Sequence, residues 1–110
     1  MIDNTVKKIE ETVAKAPTLS PEKREQLLKL LGELKQEIQV LSRTHRESAL
    51  GIADRTHAST RRATREDSDR PARDEAVAEL KTVVEKFEVS HPGLVSTVNA
   101  FCNALADLGI

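Results

Sequence analysis

The sequence predicts an all-α protein built from two antiparallel helical hairpins, and three observations carry that prediction. Strand-forming residues are scarce: there is no Trp or Tyr, the only aromatic rings of Phe type are Phe87 and Phe101, and no stretch alternates in the way a strand requires. Leu, Ala, Glu, Lys and Arg dominate instead, and all are good helix formers. The apolar side chains recur at spacings of three and four, the period of a helix face. A chain of 110 residues is one domain or one domain with an extension. Its aliphatic content suffices for a thin seam between helices. Short chains bury a modest fraction of their surface, so a bundle or coiled-coil-like core completed by self-association is expected.

Ile2, Val6, Ile9 and Val13 draw one stripe and predict a first helix from about Asp3 to Ala16. Pro17 ends it, because the residue before a proline is pushed out of the helical region. Ser20-Pro21-Glu22 reads as a fresh start, with Ser20 as N-cap and Pro21 at the first helical position. Leu27, Leu31, Leu34, Ile38, Leu41, His45, Ser48 and Ile52 then alternate spacings of four and three, a heptad seam that predicts one long second helix. Beyond Ile52 the text is polar all round and rich in Thr and Ser, which lowers helix propensity. The expectation there is fraying helix passing into a mobile linker by about Arg61 to Arg70.

A third helix restarts near Asp69-Arg70-Pro71 with a stripe of Ala76, Val77, Leu80, Val83, Val84 and Phe87. A fourth carries Leu94, Val98, Phe101, Leu105 and Leu108 at heptad spacing. The turn between them, Ser90-His91-Pro92-Gly93, has two readings. Ser90 as N-cap would set Val89 and Leu94 as a hydrophobic staple; His91 as N-cap would give Pro92 its preferred first position. Gly109 and Ile110 predict a Schellman closure onto Leu105. The chain thus divides into an N-terminal hairpin (1–42), a polar extension and linker (43–70) and a C-terminal hairpin (71–110). The assembly seam expected to meet a second copy is Leu27, Leu31, Leu34, Ile38 and Leu41, together with Leu94, Val98, Phe101 and Leu105.

The C-terminal residues resemble a known family. Phe87, Glu88, His91 and Pro92 form a Phe-Glu-x-x-His-Pro turn, and Ala106, Asp107, Leu108, Gly109 and Ile110 form an Ala-Asp-Leu-Gly-Ile ending. Both are similar to the C-terminal pattern of a bacterial family, domain of unknown function 4404. Leu19-Ser20-Pro21-Glu22 before a Leu-rich helix is similar to its N-terminal part. The resemblance covers about residues 1–41 and 76–110, and the Arg/Thr/Ser/His-rich stretch 42–70 departs from it. It implies small helical proteins and brings no activity, cofactor or site residue.

Candidate chemistry is sparse. Glu88-Val89-Ser90-His91 matches Glu-x-x-His, which places two ligands on one face in di-iron bundles, but those sites need two such motifs and further Glu residues. Ser90 and His91 read better as a helix start, and no metal site is expected. His45 falls in the heptad seam, where a polar residue can set register or simply mark the fading end of the stripe; His57 reads as solvated. Cys102, the single cysteine, reads as a small packed thiol. No nucleophile elbow or glycine-rich phosphate loop is present, so neither an enzyme nor a cofactor is expected.

Charge is uneven although the net is −1. Arg43, Arg46, Arg55, Arg61, Arg62 and Arg65 stand against only Glu47 and Asp54 within their span. Arginine pairs well with phosphate, so this segment could contact a polyanion such as nucleic acid by counterion release. No aromatic residues interleave for base stacking, and Glu66, Asp67 and Asp69 come immediately after, so a solvated face of mixed charge is the leading expectation. No apolar run approaches the length of a membrane span. The start Met-Ile-Asp-Asn-Thr lacks the marks of a signal peptide, and the expected compartment is the cytoplasm. The sequence therefore predicts a non-catalytic helical interaction or structural protein that self-associates and has an unidentified protein partner, with a small nucleic-acid-associated regulator as the alternative.

Overall fold

The computed structural model of the chain describes residues 2–65 and 70–109. Five α-helices succeed one another: α1 (Ile2–Lys15), α2 (Pro21–Ser42), α3 (Arg46–Thr64), α4 (Arg70–Glu85) and α5 (Pro92–Ala106), then a 3-10 turn over Asp107–Gly109. The all-α class holds, but the four-helix arrangement with one long second helix does not. The heptad path breaks at Arg43-Thr44-His45, and a separate helix then runs straight through Gly51.

No glycine or proline marks that break. Two hydroxyls bond to the backbone there: Ser42 Oγ donates to the Gln39 carbonyl at 2.6 Å and Thr44 Oγ1 to that of Leu41 at 3.5 Å. Such side chains offer the backbone partners other than the next helical turn. His45 then takes an extended φ of −134° and becomes the N-cap of α3.

The starts and stops of the other helices obey local chemistry. Ser20 caps α2 as expected, accepting from the Lys23 amide at 3.2 Å. The carbonyls that α1 leaves open are taken by Arg24, which donates through Nη2 to Ala16 at 2.9 Å and through Nε to Val13 at 3.3 Å. A cation there also suits the negative end of the helix dipole. At the start of α5 the second reading of the turn is the one adopted: His91 is the N-cap and Pro92 the first helical residue. The staple is absent, since Val89 is 96% exposed while Leu94 is buried. Gly93 lets the Glu37 carboxylate of α2 approach the first turn of α5 where a Cβ would collide with it. The chain end tightens into its 3-10 turn, and Ile110 of the expected Schellman closure lies outside the described residues.

The helices run up and down in sequence. Gln39 Nε2 donates to Asp3 Oδ1 at 2.9 Å, pairing the C-terminal part of α2 with the start of α1. Thr18 Oγ1 donates to the Thr64 carbonyl at 2.9 Å, tying the α1–α2 connection to the end of α3. α3 is the hub: it packs against α1, α2 and α4 and touches α5, while the others stand round it in the order α1, α2, α5, α4. The stretch expected to be an extension and linker is thus the middle of the body up to Thr64; the remainder of the expected linker, 66–69, lies outside the described residues.

Two kinds of side chain fill the interior. Leu27, Leu31, Leu34, Ile38 and Leu41 of α2 are buried, as are Leu94, Val98, Phe101 and Leu105 of α5. All nine seam residues are therefore enclosed within one chain. On α3 the inward stripe is Ala49, Ile52, Ala53, Thr56, Ser59, Thr60, Ala63 and Thr64. Its hydroxyls are all satisfied. Thr56, Thr60 and Thr64 each donate to the carbonyl four residues back at 2.8 Å, and Ser59 reaches both Arg55 and, across the interface, Ala76 of α4 at 3.1 Å. A buried hydroxyl left without a partner would cost about 1–3 kcal/mol. The radius of gyration, 12.9 Å, matches the value of about 13 Å that scaling gives a compact domain of this length.

Candidate functional site

Because α3 turns its small residues inward, its remaining side chains form an outward stripe: Asp54, Arg55, Ala58, Arg61, Arg62 and Arg65, all exposed. No close packing joins α1 to α4, so this stripe emerges between them. The six arginines singled out from the sequence do not form one patch. Arg43 closes the end of α2 and Arg46 opens α3, both exposed at one pole of the body, while the other four lie along the stripe. Arg62 also donates to the Ala72 carbonyl of α4 at 3.2 Å and Arg55 to that of Gly51 at 3.5 Å.

The structure gives Arg61 neighbours that the sequence did not. Lys8, Glu11, Thr12 and Lys15 lie along one face of α1, and with His57 and Arg61 of α3 they line a groove of about 340 Å³. His57 is half-buried there, not simply solvated. Its pKa is lowered from 6.5, first by burial and then by the positive charges of Arg61 and Lys8, with Asp54 opposing them. The groove on the other flank of the stripe is more mixed, with Glu47 set against Arg55 and Lys86.

A second cluster joins the two tight turns. His45 and His91 adopt nearly the same backbone, φ/ψ of −134°/65° and −138°/64°. In each, the amide donates to the carbonyl four residues back, Leu41 at 2.8 Å and Phe87 at 2.7 Å. The preceding hydroxyl sits against Nδ1 in both: Thr44 at 2.8 Å and Ser90 at 3.0 Å. The two imidazoles and Phe87 pack edge to face, with centroids 5.2, 5.9 and 6.1 Å apart. His45 is thus not part of a buried seam; it is exposed just past the end of α2 and is half of a repeated turn. Glu88 is exposed in the second turn, and among the described residues no group of three or more His, Cys, Asp or Glu is placed to hold a metal ion.

Two further polar groups are buried away from the grooves. Burial pushes the Cys102 thiol up to about 11, against the pull of Lys81, so at neutral pH it is a thiol and a poor nucleophile. Arg73 of α4 is only 5% exposed, and its Nε has no hydrogen-bond partner among the described residues. No described helix is long and apolar enough to cross a membrane.

No protein-family model, curated protein or solved structure matches this chain.

Proposed function

We propose that the chain is a non-catalytic helical interaction module whose binding surface is the outward stripe of α3. One observation carries this reading: the helix that bears the arginines is also the most enclosed in the body, held by four neighbours. A helix already fixed in the body needs no backbone ordering when a partner arrives, so the ordering cost is confined to its side chains. An anionic partner fits, since four of the six outward residues are arginine.

Self-association is not required by this reading. The seam expected to meet a second copy is closed within one chain, and the exposed large apolar side chains among the described residues are Leu28, Val40 and Val89. Burial of that seam within one chain supports a monomer as the state expected in sedimentation, and an oligomer there would favour the self-association expected from the sequence. The likeness to the uncharacterised bacterial family remains a proposal resting on the turn and ending residues alone, as does the cytoplasmic compartment.

The test is affinity capture from the native host with the intact chain and with an Arg55→Gln, Arg61→Gln, Arg62→Gln variant. Substitutions on the exposed side of α3 remove charge, and since Arg62→Gln also gives up the bond to the Ala72 carbonyl of α4, the melting curve is the control. Loss of the captured partner with an unchanged melting curve supports the reading. Identical capture by both proteins overturns it.

A further inference from the structure

We propose that the groove between α1 and α3 binds a compact phosphate group of two or more negative charges, of the diphosphate class, through Lys8, Lys15 and Arg61. The inference rests on the reading of α3 as the binding helix and names the ligand chemistry of that surface. Three cations and one carboxylate, Glu11, line a groove of about 340 Å³, with the Thr12 side chain and the His57 ring beside them. Lys8, Glu11, Thr12 and Lys15 come from successive turns of α1, and His57 and Arg61 from adjacent turns of α3. Two helices therefore contribute charge to one open groove, Lys8 and Lys15 from α1 and Arg61 from α3.

The groove is electropositive at its half-buried centre. Arg61 and Lys8 both disfavour a proton on His57, and Asp54 does not offset them. A phosphate seated there reverses that balance, because it supplies negative charge to a ring that burial and two cations hold neutral. His57 then gains its proton more readily in the complex than in the free protein. Lys8, Glu11 and Lys15 on α1 and Asp54 and Arg61 on α3 are the charged groups that set this response.

Size and continuity favour a compact ligand over an extended one. Glu10, Glu11 and Asp54 interrupt the exposed cations on both helices, whereas a nucleic-acid backbone is held by a longer unbroken track. The opposite flank, with Glu47 facing Arg55 and Lys86, lacks the same excess of charge.

The experiment titrates the full chain with sodium pyrophosphate at constant ionic strength and monitors backbone amides and the His57 ring by NMR. A saturable response centred on Lys8, Thr12, Lys15, His57 and Arg61 is expected, with a rise in the His57 pKa at saturation. Lys8→Ala and Arg61→Ala, both at exposed positions, each weaken binding roughly tenfold, the loss of one charge-assisted contact. Lys29→Ala on α2 leaves it unchanged. Shifts that merely track ionic strength, or affinity that ignores Lys8 and Arg61, overturn the proposal. So does a single-stranded oligonucleotide that is retained more tightly than pyrophosphate with a steep salt dependence. Failure here with continued partner loss in the triple arginine variant removes the phosphate groove alone; failure of both removes the α3 surface as well.

Discussion

α2 and α3 are both central to the interior, yet they enter it by opposite means. α2 drives Leu27, Leu31, Leu34, Ile38 and Leu41 inward, each close to fully buried. α3 contributes one large aliphatic, Ile52, and otherwise Ala, Ser and Thr. Large side chains stabilise by removing apolar area from water, at about 25 cal/mol per Å². Small ones let helix axes approach, so the surrounding helices close over α3 and bury their own aliphatics against it. A core can thus be organised around a helix that supplies little of its apolar area. Its hydroxyls make this tolerable because each bonds to the carbonyl of its own preceding turn.

The two helices should therefore fail differently. Leu34→Ala on α2 should show the largest effect, a loss of about 2–5 kcal/mol from transfer and cavity terms. Urea unfolding reads it directly, and faster alkylation of the buried Cys102 thiol reads it independently. On α3 the damaging change is the reverse one: Thr60→Leu should cost about 1–3 kcal/mol by overpacking. Thr60→Val should stay within about 1 kcal/mol, because the carbonyl it frees keeps its helical bond. If Thr60→Val cost more than Thr60→Leu, the contrast between the helices would collapse.

A smaller effect probes the same contrast through charge. The folded-state pKa of His57 lies below 6.5, so as the pH falls the unfolded chain takes up that proton first. The associated stability is complete above the unfolded pKa and is lost as the pH drops through the folded one. His57→Gln should flatten the acid side of the stability profile, measured by thermal melts across mildly acidic pH. The least change is expected at Arg73 on α4. Removing a buried guanidinium whose Nε has no partner among the described residues, as Arg73→Met, should leave stability unchanged or raise it.

The same contrast decides how much of the molecule is legible in its sequence. The stripes of α1, α2 and α5 can be read because aliphatic residues advertise a buried face, and Ser20-Pro21 can be read because caps have few chemical solutions. The face of α3 is written in residues that serve equally on a surface. Ala49, Ile52, Ala53, Thr56, Thr60, Ala63 and Thr64 keep helical spacing throughout, which is the available signal, but a count of large apolar residues alone hides it. The break at Thr44-His45 carries no glycine or proline, and the heptad happens to continue across it. The pairing of Lys8 and Lys15 with Arg61 and His57 is tertiary: each pair has helical spacing, yet nothing local says that α1 and α3 become neighbours.

An odd number of helical passes also sets the start of α1 and the end of α5 apart. α1 starts beside the end of α2, and five alternating helices leave the last one running away from that pole. Reporter groups attached near residues 2 and 109 would be held toward opposite ends of an object 37 Å long, and the distance between them would register the intact count of helices. Loss of any one pass would fold that distance back on itself.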